Sequence, residues 1–185
     1  MKMATTMNSP YMGKFKITQK FKGASHDGLD LVGIDSKEIH ATFTGTVKYA
    51  GWENANNQKQ GFGQYVCIEF FYAPMSKKLY AYYGHLSQIK VKTGQSVKCT
   101  DIVGIEGSTG YSTGSHCHYC IRPEFRAGCF VDVCAISGIP NNEGGIYDDG
   151  YRPAQNVSNS DKVNKTIQAI IEIEGHKYSG LLEEK

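Results

Sequence analysis

The sequence predicts an all-β fold: a sandwich or partly closed barrel. Three observations carry this prediction. Short runs rich in Val, Ile, Tyr and Phe recur through the first 140 residues, the composition of pleated, half-buried strands. Glycine is abundant, 21 in 185 residues, and falls at short intervals that suit tight turns and bulges better than helices. Val66, Ile68 and Phe70 alternate with Cys67, Glu69 and Phe71, the period of two expected of a half-buried strand.

Taken in order, strands are expected over 14–21, 29–34, 39–43, 46–50, 64–72, 79–83, 102–106 and 116–122. A turn over 86–89 is the nearest thing to a helix within residues 1–140. Composition shifts after Pro140, so 1–140 reads as the main domain and 141–165, rich in Asn, Gly, Asp and Ser, as a linker. In 166–185, Ile167, Ala169, Ile171 and Ile173 alternate ahead of Glu174-Gly175. That pattern reads as a terminal β-hairpin, with a short helix as the alternative. A lone hairpin is marginal in water, so this segment is expected to dock on the main body or on a partner.

Composition excludes several functions. A net charge of +2 and a pI near 8.1, without a dense Lys/Arg run, give no footprint for nucleic acid. No apolar run approaches the roughly 18–20 residues that span a bilayer. The start MKMATTMNSPYMGKF has a lysine but no apolar stretch behind it, so no Sec-type signal peptide is expected in this sequence. The six cysteines read mostly as reduced, small core residues. Cys117 and Cys120 have C-x-x-C spacing but would face opposite sides of a strand, and Cys129 with Cys134 makes a poor second pair for a zinc knuckle.

The chemistry-bearing residues lie in three stretches. In GSTGYSTGSHCHYC (107–120), His116 and His118 alternate with Cys117, so on a strand both imidazoles share a face. Paired imidazoles behind a glycine-rich loop suit a metal or proton-transfer site. In His26-Asp-Gly-Leu-Asp30, the surrounding glycines and the run LDLVGI argue against a helix. A fully extended strand would hold His26 and Asp30 about 13 Å apart, so a shared ligand role requires the chain to bend. Asp27-Gly28 is a turn dipeptide placed to do so, and Gly28 keeps bulk out of the space between two ligands. In Tyr82-Tyr-Gly-His85-Leu, the histidine ends an aromatic strand. His40 and His176 lack such settings and read as structural or surface residues.

With HDGLD, YGHLS and GSTGYSTGSHCHY in this order, the chain resembles the lysostaphin/LytM-type zinc endopeptidases over roughly 23–132. GTVKYAGW, GFGQYVCIEF and VKTGQSVKCTDIVGIEGSTG are similar to the connecting strands of that family. The resemblance implies an antiparallel β fold with a long groove, one catalytic zinc, and hydrolysis of peptide cross-links in bacterial peptidoglycan. It implies zinc ligands at His26, Asp30 and His118, and a non-ligating catalytic pair at His85 and His116, either of which could be the base. Tyr111, Ser112 and Thr113 are expected in the groove wall, and loops 52–62 and 107–115 are expected to read the substrate. An alternative within the same fold is an inactive peptidoglycan-binding or regulatory domain, which would lack a ligand. Action at the cell wall without a leader suggests phage delivery or release on lysis. Two cysteines depart from the family pattern. Cys117 replaces a familiar leucine, and Cys120 stands where a glutamate is frequent, which would loosen ligand orientation. Val133 stands where proline is usual.

Overall fold

The computed structural model describes residues 8–126 and 128–148, together with the backbone of 167–173 and 176–182. The first strands are β1 (Lys14–Gln19), β2 (Gly28–Gly33), β3 (Glu38–His40), β4 (Gly45–Trp52) and β5 (Gln64–Tyr72). A 3-10 turn (Ala73–Met75) leads to β6 (Lys77–Gly84), β7 (Gln88–Ile89), β8 (Ser96–Val97), β9 (Ile102–Ile105) and β10 (Cys117–Arg122). Helix α1 (Val133–Ser137) and β11 (Ile146–Asp148) follow. Eight strands form one antiparallel sheet in the order β11-β1-β2-β10-β6-β5-β4-β8, and β3-β9-β7 form a second, smaller sheet. The large sheet does not close into a barrel.

Strand alternation divides the large sheet into two faces. Leu29 and Leu31 of β2, Cys117, Tyr119 and Ile121 of β10, and Leu79, Ala81 and Tyr83 of β6 enter the main core. Ile39, Leu86 and Val103, from the smaller sheet and its approach, join the same core. On the opposite face Tyr65, Cys67, Tyr82 and Cys120 form a second buried cluster, with Tyr49, Phe62, Tyr80 and Phe125 against it. Strand β5 is therefore buried on both faces over Tyr65–Ile68 rather than half-buried, because aromatic residues cover its outer side.

Three local differences from the sequence reading have physical causes. Residues 86–89 form no helical turn: Ser87 donates its N–H to Ile105 O at 2.9 Å, and Gln88 and Ile89 pair with β9. Helix α1 was not expected. Its five residues are too few to display a 3.6-residue period, yet its caps are legible in retrospect. The Asp132 carboxylate accepts from Cys134 and Ala135 N–H groups, and Gly138 ends the helix at φ +72°. Strand β11 lies within the stretch that reads as linker, where Tyr147 pairs with Phe15 and extends the sheet edge.

Residues 154–185 form a separate unit, in which β12 (Ile167–Ile173) pairs antiparallel with β13 (His176–Leu182). Among the described residues, no helix is long and apolar enough to cross a membrane. All six cysteines are free; Cys67, Cys117 and Cys120 are buried, Cys99 and Cys134 half-buried, and Cys129 exposed. His40 is buried and contacts Thr100 O through Nδ1 at 2.8 Å, a structural setting.

Candidate metal centre and catalytic site

The site grows out of the pairing of β2 with β10. Their register sets His118 directly opposite Asp30, so the two side chains project from the same sheet face. On the other side His118 faces Gly84, the last residue before His85. His26 arrives from a tight turn in which Lys22 N–H donates to His26 O and His26 N–H donates to Gly23 O. The bend anticipated at Asp27-Gly28 thus lies earlier, over 22–26, and Gly28 is already the first residue of β2. Gly28 leaves room beside one of the two expected ligands, His118. A Cβ on Gly28 would lie 2.7 Å from His118 Nε2, 2.6 Å from Tyr119 O and 2.9 Å from Cys120 Cβ.

One oxygen, Asp30 Oδ1, collects the cluster. It lies 3.1 Å from His26 Nε2, 2.8 Å from His118 Nδ1 and 3.6 Å from His116 Nε2. The other nitrogen of each ring is already committed. His26 Nδ1 donates to Lys20 O at 2.8 Å, and His118 Nε2 donates to the Asp27 carboxylate at 3.2 Å. A neutral imidazole has one proton, so both rings turn lone pairs toward a carboxylate oxygen, an arrangement that requires positive charge between them. The donor atoms of His26, Asp30 and His118 all lie within 4.8 Å of one another. Ligands about 2.0–2.2 Å from a tetrahedral zinc sit roughly 3.3–3.6 Å apart, so a small contraction or expansion of this trio fits the ion.

In the metal-free protein a proton supplies that charge. Burial resists ionisation of His118, but its bonds to Asp27 and Asp30 outweigh burial and raise its pKa. Burial likewise pushes Asp30 up, yet His118 and His26 hold its carboxyl well below the usual range. Asp27 is lowered to about 2, since His118 and Arg122 overcome the effect of burial. A metal must displace the His118 proton, so its affinity falls with falling pH.

The second pair of imidazoles adjoins this trio. The rings of His85 and His116 lie 4.6 Å apart, and His85 is 6.1 Å from His118. His85 Nδ1 donates to Thr109 O at 2.7 Å, and His116 Nδ1 donates to Gly114 O at 2.8 Å. When neutral, both rings therefore present Nε2 as a base. Burial lowers the His85 pKa to about 4, against a smaller upward pull from Thr109. Its backbone is held at φ +62°, a left-handed conformation costly for a residue with a Cβ.

Two loops frame an open groove of about 550 Å³ lined by the five residues above and by Glu53, Phe62, Tyr111, Ser112, Thr113 and Arg122, among others. Their backbones touch. Tyr111 N–H donates to Gly61 O at 2.9 Å, Gly110 N–H to Gln58 O at 3.0 Å, and a Cβ on Gly63 would lie 2.3 Å from Gly110 N. Tyr111 is 82% exposed, in position to meet a ligand. Ser112 turns inward and bonds Ser108 Oγ and Gly114 O, so it shapes the loop beneath His116. Tyr82 is buried beneath the groove.

The sequence reading brings His26, Asp30, His85, His116 and His118 to one place, and the structure holds all five around Asp30 Oδ1 and the adjoining groove. It missed Asp27, read only as a turn residue, and Arg122, read only as a strand end. Nothing in the sequence marks their pairing, which depends on β2 lying beside β10. Where Cys120 offers no carboxylate, Asp27, just ahead of β2, places one on His118 Nε2.

Residues 24–128 match the model of peptidase family M23. The chain is 35% identical over 97 residues to lysostaphin of Staphylococcus simulans, covering 52% of this chain and 18% of that protein. It is 34% identical over 97 residues to the glycyl-glycine endopeptidase ALE-1 of Staphylococcus capitis, covering 52% and 24% respectively. Among solved structures, a mutant catalytic domain of the prophage-encoded M23 protein EnpA from Enterococcus faecalis superposes with TM-score 0.54 at 31% identity. That match covers 67% of this chain and 93% of that domain. The lysostaphin catalytic domain superposes with TM-score 0.51 at 26% identity, covering 67% and 90%. The chain spans less than a third of the length of the curated relatives it matches.

Proposed function

The chain belongs to peptidase family M23, and on that premise we propose that it is a zinc-dependent endopeptidase hydrolysing peptide cross-links of bacterial peptidoglycan. One observation carries the reading: three donor atoms, from His26, Asp30 and His118, converge in a groove that also holds two more imidazoles. A set of two His and one carboxylate leaves a coordination position open, as catalytic rather than structural zinc sites do. An inactive binding domain would be expected to lack one of these groups. In this proposal residues 1–140 form the catalytic domain, with β11 added to its sheet edge, the rest of 141–165 is the linker, and 166–185 a docking hairpin for a partner.

His26 Nε2, Asp30 Oδ1 and His118 Nδ1 would hold the zinc, which when bound supplies Lewis acidity toward water and the scissile carbonyl. The protein's own residues handle the protons. His116, with Nδ1–H fixed on Gly114 O, offers Nε2 to accept the proton of the attacking water. The proton that His116 takes from the water is the one it can return to the leaving amine; His85, buried, fixed on Thr109 O and neutral at pH 7, presents Nε2 as a second acceptor beside it. Tyr111, Ser112 and Thr113 form the groove wall along which the peptide lies. Cell-wall action, with phage delivery or release on lysis, accords with this chemistry and with the prophage-encoded relative.

The test uses the zinc-loaded protein and purified sacculi, with new amino termini as the readout. His85→Ala and His116→Ala are expected to lose cleavage and keep zinc. Zinc-loaded wild type that sediments with sacculi without releasing amino termini would refute the activity. Loss of zinc in His116→Ala would refute the ligand assignment.

A further inference from the structure

We propose that the Asp27–Arg122 ion pair is a positioning device for His118, holding its ring so that Nδ1 is presented to the metal. This deepens the proposed function and rests on it. The Asp27 carboxylate divides its oxygens between two tasks. Oδ2 accepts from Arg122 Nε at 3.2 Å and Nη2 at 2.8 Å, while Oδ1 accepts from His118 Nε2 at 3.2 Å. The guanidinium is in turn seated over two aromatic rings, 5.2 Å from the centroid of Phe62 and 5.1 Å from that of Tyr82. Those rings belong to, or pack on, the buried cluster beneath the groove. A chain of contacts thus runs from rigid sheet to guanidinium, carboxylate, imidazole and metal-facing nitrogen.

Two consequences follow for His118. The carboxylate fixes the tautomer with the proton on Nε2, leaving Nδ1 as the lone-pair donor, and it raises the ring's basicity as a ligand. Gly28 makes the contact possible, because a side chain there would collide with Nε2. The same neighbourhood admits a rival role. Asp27, His118 and Cys120 also group closely enough to hold an ion, which would make Asp27 a ligand. The positive charge of Arg122 on Asp27 Oδ2 argues against a second cation there.

The experiment compares wild type, Asp27→Ala and Asp27→Asn, each as the full chain with zinc removed and returned. Zinc affinity is measured by competition with a chromogenic chelator, stoichiometry by titration, and ligand geometry by the visible bands of the cobalt(II) form. Asp27→Ala is expected to bind zinc roughly 10–100-fold more weakly and to shift the cobalt bands. Asp27→Asn, whose amide oxygen still accepts from Nε2–H, should recover part of the loss. The Asn variant preserves the shape of the side chain and decides the matter should the Ala variant fail to fold. Zinc affinity within twofold of wild type in the folded variants, with unchanged cobalt bands, overturns the proposal. A second metal equivalent in wild type that disappears in Asp27→Ala and Cys120→Ser also overturns it, in favour of a ligand role. Wild type that binds no zinc defeats the proposed function itself, a result distinct from any seen only in the variants.

Discussion

Replacing Glu106 with alanine should destabilise the protein more than any surface change, although Glu106 touches none of the metal-facing atoms. Its side chain is fully buried and accepts four hydrogen bonds. Oε2 takes Tyr11 Oη at 2.5 Å and Gly33 N at 2.8 Å; Oε1 takes Lys37 Nζ at 2.8 Å and Ser115 Oγ at 2.6 Å. Tyr11 retains Leu31 O, and Lys37, half-exposed, retains Gly33 O and water. Gly33 N–H would lose its acceptor in a buried position, which costs about 1–3 kcal/mol. Losing the buried methylenes adds about 1–2 kcal/mol with the cavity they leave. The Ser115 bond contributes about 1 kcal/mol more. The sum is about 3–6 kcal/mol. For a chain of this size it corresponds to roughly 6–24 °C in Tm, readable by thermal and urea unfolding of the metal-free protein. Glu106→Gln, which keeps volume and one acceptor, should lose about half as much. Burial pushes the Glu106 pKa up, but Lys37, Ser115 and Tyr11 outweigh burial and lower it. Its stabilisation is therefore present above the ordinary carboxylate range and is lost as pH falls through the lowered folded pKa, a dependence that Glu106→Ala should lack. A Tm within 2 °C of wild type for Glu106→Ala would refute the reasoning.

Other expectations concern the site's geometry and protonation. Gly28→Ala should cost at least about 1–3 kcal/mol and weaken zinc binding, because its Cβ meets Tyr119 O and His118 Nε2, the nitrogen bonded to Asp27, under 3 Å; a folded variant with wild-type zinc affinity would contradict this. Gly63→Ala, at φ +63° with Cβ 2.3 Å from Gly110 N, should separate the two groove loops and raise KM more than it lowers kcat in sacculus digestion. Metal-free protein should gain stability as pH rises from about 4 to about 6.5, because burial holds the folded His85 pKa at about 4 and the unfolded chain binds the extra proton. His85→Gln should flatten that rise, as followed by urea midpoints across the range.

Much of this architecture can be read from the sequence because it depends on local periodicity. The alternation of Leu29, Asp30 and Leu31, and of Cys117, His118 and Tyr119, assigns each side chain to a face before any partner strand is known. That assignment alone brings Asp30 and His118 onto a polar face and sends their neighbours into the core. His26 could be placed only through resemblance, since the turn that returns it to Asp30 is stabilised by backbone bonds of Lys22 and Gly23, which carry no sequence signature. Helix α1 and strand β11 escaped because five residues and three residues are shorter than the periods that would reveal them.

The carboxylates show the limit most clearly. Asp27, Asp30 and Glu106 are equivalent letters in the sequence, yet one faces three imidazole nitrogens, one ties an imidazole to a guanidinium, and one clamps four donors in the core. Their roles diverge mainly through contacts between residues 69–95 positions apart. Glu106 and Asp27 together also explain how the exit of a glycine-rich loop holds His116 and His118 in place. Ser115, next to His116, is pinned to Glu106 at 2.6 Å, and Asp27 fixes His118 two residues on. The glycine-rich run 107–114 is therefore anchored at its exit, while Gly110 makes the close approach to loop 58–63.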